Sequence, residues 1–227
     1  VGGLAGDALT SGNTNVAIGY QALTSETQGD RSVAIGVSAL EVQNNISNAD
    51  IYNVAVGYHA GKAMTTGVQN TLIGGLAGDS LTDGNNNVAI GYLALTTETS
   101  GGNNVAIGVT ALQQSNGGIY NVAIGRDSGQ QVTTGDYNTL IGAESGDALT
   151  TGAQNVAIGM QALSSEDTGG DCTAIGYRAL KNQNANSAFN TAVGKDAGLS
   201  LTSATQNTFV GAVAGDAITT GGNNTAV

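Results

Sequence analysis

The pentapeptide Asn87-Val88-Ala89-Ile90-Gly91 recurs with few changes along the whole chain of 227 residues. Its closing glycine returns every 17 residues, apart from one interval of 21 and one of 18 residues. The thirteen glycines are Gly2, Gly19, Gly36, Gly57, Gly74, Gly91, Gly108, Gly125, Gly142, Gly159, Gly176, Gly194 and Gly211. Self-similarity at a fixed short period is the sequence signature of a solenoid, in which every repeat adds one supersecondary unit.

Within the pentapeptide, Val88 and Ile90 are β-branched residues separated by one small residue, Ala89. This alternation indicates a short strand with two distinct faces. We therefore predict an all-β parallel β-solenoid of about thirteen 17-residue coils, in which each strand pairs with its copy one coil further on. One coil per 17 residues is preferred over a larger coil built from several repeats, although both would explain the pattern.

Four residues before each glycine stands a column of asparagines, interrupted only by Ser32 and Cys172. We expect the amides to satisfy one another in a ladder and the asparagine backbone to accept a left-handed corner, with glycine at the opposite corner. The ladder consists of Asn15, Asn53, Asn70, Asn87, Asn104, Asn121, Asn138, Asn155, Asn190, Asn207 and Asn224 together with the glycines from Gly19 to Gly211.

The side chains on the two faces of the strand differ in size. Asparagine, alanine and glycine share one face, which could pack against the far wall of its own coil or against a neighbouring chain. We favour the neighbouring chain, with a larger residue in the alanine column once in four coils, at Leu72, Leu140 and Phe209.

Each turn supplies one larger apolar side chain at either of two positions, as a core of constant volume requires. Six turns carry a leucine four residues after the glycine, and the others carry an apolar residue three places later. These residues are Leu23, Leu40, Leu95, Leu112, Leu163 and Leu180 in the first set, and Leu9, Met64, Leu81, Val132, Leu149, Leu201 and Ile218 in the second.

The two kinds of turn alternate in four-turn blocks, which start near residues 2, 74, 142 and 211 of a single repeat array, 1–227. Polar insertions lengthen two turns, at Asn44–Asp50 and Asn184–Ala188. Because both ends of the sequence fall inside a repeat, we expect the array to belong to a longer chain or filament.

The composition excludes several classes of protein. A net charge of −11 disfavours nucleic-acid binding. The sequence contains no run of 18 apolar residues, so it does not predict a membrane-spanning helix. With 36 glycines and no proline, the chain is glycine-rich without a collagen period, and its 40% hydrophobic residues argue against disorder.

The sequence offers little for catalysis, so no catalytic residue, cofactor or metal is expected. His59 and Cys172 are the only histidine and cysteine; His59 is interpreted as a surface residue and Cys172 as a tolerated substitution in the asparagine column. Adjacent Thr-Thr pairs suit turns rather than an ice-binding array. Tyr20, Tyr58, Tyr92 and Tyr177 directly follow the repeat glycine. We expect them to pack over this corner glycine rather than to bind a glycan.

Calcium is a minor alternative, because acidic residues recur in the blocks at Asp7, Asp79, Asp147 and Asp216, and at Glu26, Glu98 and Glu166. We expect these carboxylates to be solvated. On this assignment Ile107→Asp should collapse its coil, whereas Glu98→Ala should leave the melting temperature nearly unchanged.

The motif Asn-Val-Ala-Ile-Gly followed by small residues resembles the head repeats of trimeric autotransporter adhesins, which form the YadA-like left-handed β-roll. Blocks such as Asn87–Leu95 also resemble fibre proteins of tailed bacteriophages. The resemblance implies a left-handed β-roll, three chains around one axis, and an extracellular, cell-surface or virion location.

The sequence therefore predicts a non-enzymatic structural fibre or filament segment, which acts as a spacer or attachment rod. Its expected partner is itself, as a homotrimer or an end-to-end filament. The alternative is an adhesin head that binds a receptor or glycan on a host surface.

Overall fold

The computed structural model describes residues 2–47, 49–186 and 188–227. The chain divides into two compact units, Val1–Gly117 and Gly118–Val227. The described residues form thirteen short strands joined by turns, and none of them lies in a helix.

The first unit contains six strands: β1 (Val16–Ile18), β2 (Val33–Ile35), β3 (Val54–Val56), β4 (Thr71–Ile73), β5 (Val88–Ile90) and β6 (Val105–Ile107). The second contains seven: β7 (Val122–Ile124), β8 (Thr139–Ile141), β9 (Val156–Ile158), β10 (Thr173–Ile175), β11 (Thr191–Val193), β12 (Thr208–Val210) and β13 (Thr225–Ala226). Within each unit, successive strands pair in parallel and in sequence order.

The register between consecutive strands shows how many residues form one coil. Val88 pairs with Val105 and Ile90 with Ile107, so equivalent positions of consecutive repeats lie side by side. One repeat of 17 residues is thus one complete coil. The structure confirms the predicted all-β parallel β-solenoid.

The prediction about the small-residue face was wrong. The strand alanines, such as Ala89 and Ala106, are fully buried inside their own coil. The flanking β-branched residues point outward and stay partly exposed, as Ile73 does at 38%. Because the coil is narrow, a small side chain fills the space between the strand and the opposite wall in most coils. Ile107 accordingly lies on the outer face, and its replacement has no reason to collapse the coil.

The three large residues in the alanine column also fill the interior instead of widening a chain interface. Leu72 is fully buried. A Cβ at Gly61 or Gly78 would stand 2.7 and 2.9 Å from its methyl groups. Two adjacent coils that carry glycine on the far wall therefore make room for one leucine, and Phe209 sits in the same way beside Gly198 and Gly215.

The two alternative positions for a core residue are confirmed. Leu95 fills the first position of its coil and Leu81 fills the second position of the preceding coil, and both are fully buried. Their equivalents are buried in every coil except the two terminal ones, where Leu9 and Ile218 are half-buried. Each inner coil therefore buries one larger apolar residue at one of these two positions.

Several non-glycine residues in each coil have a left-handed backbone. Around β5 these are Asn86 (φ 59°), Leu93 (φ 58°) and Leu95 (φ 53°). Each such residue costs about 1–2 kcal/mol. In exchange, the N–H of Leu93 donates to Gly75 O at 3.1 Å in the preceding coil, and the N–H of Leu95 donates to Ala111 O at 3.0 Å in the following coil. The left-handed residue is thus Asn86, not the ladder residue Asn87, which corrects the expectation that the ladder asparagines form the corner.

The predicted insertions, Asn44–Asp50 and Asn184–Ala188, include Asn48 and Ser187, which lie outside the described residues. The first insertion returns to the solenoid through a parallel bridge between Asp30 and Asp50. Arg31 pairs with Asp50 and lies over the ring of Tyr52.

The corner glycine is the position least able to change. Gly91 has φ 139°, and a Cβ there would stand 2.3 Å from Gly108 O in the next coil. Gly91→Ala should lower the free energy of unfolding by roughly 3 kcal/mol or more, since backbone strain and overlap act together.

Gly75→Ala is the matched control. Its backbone lies outside the left-handed region and its new methyl would meet only the Tyr92 ring, at 3.5 Å. We expect a change within about 0.5 kcal/mol. Denaturant unfolding measures both variants, and equal losses would contradict the corner assignment.

Candidate functional site: interior polar ladder and outer strand face

The asparagine ladder lies inside the coils and bonds mainly to the backbone. Asn87 is fully buried. Its Nδ2 donates to Gly101 O at 2.9 Å, and its Oδ1 accepts the N–H of Asn104 at 3.0 Å. Each asparagine therefore satisfies two backbone groups of the next coil, in an interior where unpaired groups would be costly. Direct amide-to-amide bonds also occur, as from Asn138 to Asn121 at 3.1 Å, but they are longer than most of the backbone bonds.

The same arrangement recurs wherever the column holds asparagine. Nine members are fully buried: Asn53, Asn70, Asn87, Asn104, Asn121, Asn138, Asn155, Asn190 and Asn207. Asn15 and Asn224, in the terminal coils, are half-buried. The ladder is thus an interior feature that no external ligand reaches.

The two exceptions in the column have a steric explanation. Gln43 is fully buried, and its Nε2 donates to Ser32 Oγ at 3.1 Å while its Oε1 accepts from Asn53 at 2.9 Å. Gln183 accepts from Asn190 in the same way, 11 residues after Cys172. Where the asparagine column holds a small residue, Ser32 or Cys172, the turn 11 residues later therefore holds the larger glutamine. In the middle block the larger residue is in the column and the smaller one in the turn, as Asn104 and Ser115.

The three glutamates predicted to be solvated are fully buried: Glu26, Glu98 and Glu166. Glu98 Oε1 accepts the N–H groups of Thr99 (3.0 Å), Ser100 (3.2 Å), Gly101 (2.6 Å) and Gly117 (2.7 Å). Its Oε2 accepts the hydroxyl of Ser115 at 2.7 Å. Successive backbone N–H groups form a concave anion site, and here the anion is a side chain of the protein itself.

Coils without a glutamate satisfy the same N–H groups differently. The N–H groups of Thr65, Thr66 and Gly67 all donate to Thr82 O of the next coil. The glutamate thus replaces a carbonyl acceptor. Sequence reasoning missed this role although a signal was present: the glutamates occupy the column that holds Leu81 or Met64 in other coils, and that column must point inward.

The surroundings of the glutamates move their pKa values in different directions. Burial by itself raises the pKa of Glu26, but the N–H groups of Gly29 and Gln28 and the Gln43 and Asn45 side chains outweigh burial and leave it below its usual value. At Glu166, burial dominates and the pKa is raised, because donors such as the N–H groups of Gly169 and Ala185 only partly offset it.

The block aspartates are less buried than the glutamates. Asp7 accepts the Thr24 hydroxyl at 2.6 Å. Asp147 Oδ1 is buried and has no hydrogen-bond partner among the described residues. Burial, together with the nearby charges of Glu144 and Asp127, raises the pKa of Asp147 to about 6.

The outer face of the strands consists of two columns of β-branched residues in every coil. Ile18 is 44% exposed and Val210 is 40% exposed. Neither column contains a charged residue in any coil. We call this surface, formed by the first and third residues of the strands in each unit, the outer strand face.

The tyrosines after the repeat glycine lie beyond the corner, outside the outer strand face. Tyr92 is 54% exposed, and its ring lies beside Gly75 of the preceding coil. Tyr20 lies beside Gly3 in the same way. For these two tyrosines the neighbouring glycine is thus the residue after the corner glycine and not the expected corner glycine itself.

The two candidate nucleophilic or basic residues, His59 and Cys172, belong to different units of the chain. His59 is half-buried and stacks on Tyr58 with 3.7 Å between ring centroids. Cys172 is buried in the second unit, and burial raises its pKa to about 11. The thiol is therefore protonated at neutral pH and a poor nucleophile.

No pocket and no group of three or more His, Cys, Asp or Glu side chains able to hold a metal ion occurs in the described part of the chain. Residues 2–47, 49–186 and 188–227 also contain no helix of the length and apolarity needed to cross a membrane. No protein-family model, curated protein or solved structure matches the sequence.

The burial of Glu98 reverses the expectation for Glu98→Ala. This change leaves four N–H groups and one hydroxyl without their acceptor, so we expect a loss of about 3 kcal/mol or more in the free energy of unfolding. Glu98→Gln should lose less than about 1 kcal/mol, because Oε1 is kept and Nε2 can donate to Ser115 Oγ.

Glu26→Gln provides a second comparison, since its new Nε2 would face the Nε2 of Gln43, whose Oε1 is already engaged by Asn53. It should therefore be more destabilising than Glu98→Gln. Denaturant unfolding of the three variants tests the assignment, and a neutral Glu98→Ala would contradict it.

The raised pKa of Asp147 predicts a pH-dependent gain from Asp147→Asn. Because the folded pKa exceeds the unfolded one, the ionised carboxylate weakens the fold above about pH 6. Wild-type stability should rise as the pH falls through this value, as the carboxylate becomes protonated.

Asp147→Asn should thus raise the melting temperature at neutral pH, with a gain that shrinks on acidification. Asp7→Asn is the control, since Asp7 has a hydroxyl partner. Melting curves at several pH values check both variants, and a gain from Asp147→Asn that does not change with pH would refute the cause given.

Proposed function

We propose that the chain is a non-enzymatic structural segment of a fibre, which acts as a spacer or attachment rod and associates with copies of itself. The observation that supports this is the outer strand face. It presents two partly exposed β-branched residues per coil in β1–β6, and again in β7–β12. The third strand column is isoleucine or valine in every coil, the first is valine or threonine, and neither carries a charge. A surface rich in exposed apolar side chains and free of charge is typical of an interaction surface.

The interior supports a structural role. Polar side chains inside the coils bond to backbone groups: Asn87 bonds to the next coil, and Glu98 bonds to its own turn and to the next coil. Such an interior stabilises the stack and offers no cleft for a substrate. The buried, protonated thiol of Cys172 adds support for a non-enzymatic role.

We further propose that the assembly is a homotrimer and that it works outside the cell or on a virion. Three copies that turn their outer strand faces toward one axis would cover the exposed valine and isoleucine side chains. The trimer and the setting are supported by the resemblance of Asn-Val-Ala-Ile-Gly repeats to adhesin heads and phage fibres.

Two substitutions in one coil test the association. Ile107→Asp places a charge on the outer strand face, whereas Val109→Asp places the same charge beyond the corner Gly108, where Val109 is 47% exposed. We expect Ile107→Asp to dissociate the assembly while each chain stays folded, and Val109→Asp to leave it intact.

Mass photometry or analytical ultracentrifugation reports the assembly, and circular dichroism reports the fold. A wild-type chain that remains monomeric at high concentration would overturn the proposal, as would equal effects of the two variants.

A further inference from the structure

We propose that Asn116-Gly117 is a site of spontaneous covalent modification, in which the fold activates the Gly117 nitrogen to attack the side-chain amide of Asn116. Glu98 accepts the proton of that nitrogen, and the Thr99 hydroxyl binds the amide oxygen. All four residues belong to the first unit. The inference does not depend on the proposed fibre function.

Two hydrogen bonds place these groups. The N–H of Gly117 donates to Glu98 Oε1 at 2.7 Å, and Thr99 Oγ1 donates to Asn116 Oδ1 at 2.8 Å. Glu98 is fully buried, whereas Asn116 and Gly117 are exposed to water. A carboxylate thus contacts the reacting nitrogen, and a hydroxyl contacts the oxygen on which negative charge develops.

The reaction balances with water as the only added reactant. The Gly117 nitrogen bonds to Asn116 Cγ and gives its proton to Glu98, and the oxyanion that forms on Oδ1 is held by Thr99. The bond between Cγ and Nδ2 then breaks, and Glu98 returns the proton to the departing ammonia. Water opens the resulting succinimide at either carbonyl, which yields aspartate or an isoaspartyl linkage at position 116.

Glycine distinguishes this position from the rest of the chain. Asn116 is the only asparagine in the sequence that is followed by glycine. Apart from Gly117 itself and its two chain neighbours, no described atom lies within 4 Å of the point where a Cβ at position 117 would stand. The nitrogen is therefore unhindered during ring closure, and the reacting groups are already adjacent in the chain.

The first block contains a matched site that lacks the glycine. Thr27 Oγ1 donates to Asn44 Oδ1 at 2.9 Å, and the N–H of Asn45 donates to Glu26 Oε1 at 3.2 Å. The same groups are present, but the nitrogen belongs to asparagine and its bond to the carboxylate is longer. Asn44 is therefore an internal control for Asn116.

The product changes the molecule at a defined place. Conversion adds one negative charge to a chain whose net charge is −11. The isoaspartyl form also lengthens the backbone by one atom directly before Gly117, whose N–H binds Glu98. The modification would mark aged chains irreversibly and weaken the bond between Gly117 and Glu98.

The experiment incubates the purified full-length chain at neutral pH, folded in one arm and unfolded in urea in the other. Peptide mapping by mass spectrometry follows aspartate and isoaspartate at positions 116 and 44. We expect conversion at Asn116 to be faster in the folded chain than in urea, and Asn44 to stay intact when folded. Slower conversion in the folded chain would overturn the proposal, because the hydrogen bond to Glu98 would then protect Gly117.

Two variants test the roles of the side chains. Glu98→Gln keeps Oε1 as an acceptor but removes the base, so conversion should slow about tenfold or more. Thr99→Val removes only the hydroxyl and should slow conversion about tenfold. An unchanged or faster rate in a folded Glu98→Gln chain would overturn the role of Glu98. If Glu98→Gln fails to fold, the rate in Thr99→Val and the comparison of folded with urea-unfolded chain together test whether the fold activates Asn116.

Discussion

Hydrogen bonding between consecutive coils is the constraint on which the rest of the structure depends. A coil of 17 residues contains only three strand residues, as in Val88–Ile90, so most of its backbone groups lie in turns. The buried ones among these groups must still find hydrogen-bond partners within the stack. The strand ladder satisfies a few of them, and left-handed residues direct others alternately to the preceding and following coils. Asparagine and glutamate side chains satisfy much of the remainder.

This constraint explains why the interior contains polar side chains beside its apolar core, and why the β-branched strand residues point outward. A large hydrophobic side chain in the alanine column fits only where two coils present glycine, as around Leu72. Elsewhere the interior accepts alanine, one larger apolar residue, and a polar side chain that bonds to the backbone. The β-branched residues are thereby left on the surface, and this supports association as the means of covering them.

The architecture could be read from the sequence because the repeat fixes it directly. The equal spacing of the repeat glycines, as from Gly74 to Gly91, indicates the coil length. The alternating positions of Leu81 and Leu95 indicate that each coil contributes one larger apolar residue to the core. The direction of the strand faces could not be read, since period-two alternation is symmetric and says only that two faces differ. To predict which face points inward, one must know how wide the coil is, and this width follows only from the three-dimensional path of the backbone.

The buried glutamates show a different limit. A charged residue in a turn is usually solvated, and Glu98 departs from this rule because backbone N–H groups of its own turn and of the next coil converge on it. The geometry of those groups depends on a backbone path that no single residue type indicates. Comparison of columns would still have revealed the site, since Glu98 occupies a position that is apolar in half of the coils.

The central claim is that hydrogen bonds to buried side chains protect the turn amides from exchange as well as hydrogen bonds between strands protect the strand amides. Amide hydrogen exchange tests it most directly. The amides of Thr99, Ser100, Gly101 and Gly117 lie in turns, and Ser100 and Gly117 are exposed to solvent. We predict that their protection equals that of Val88–Ile90, because all four amides donate to Glu98. Exchange at the rate of unstructured peptides would contradict the account.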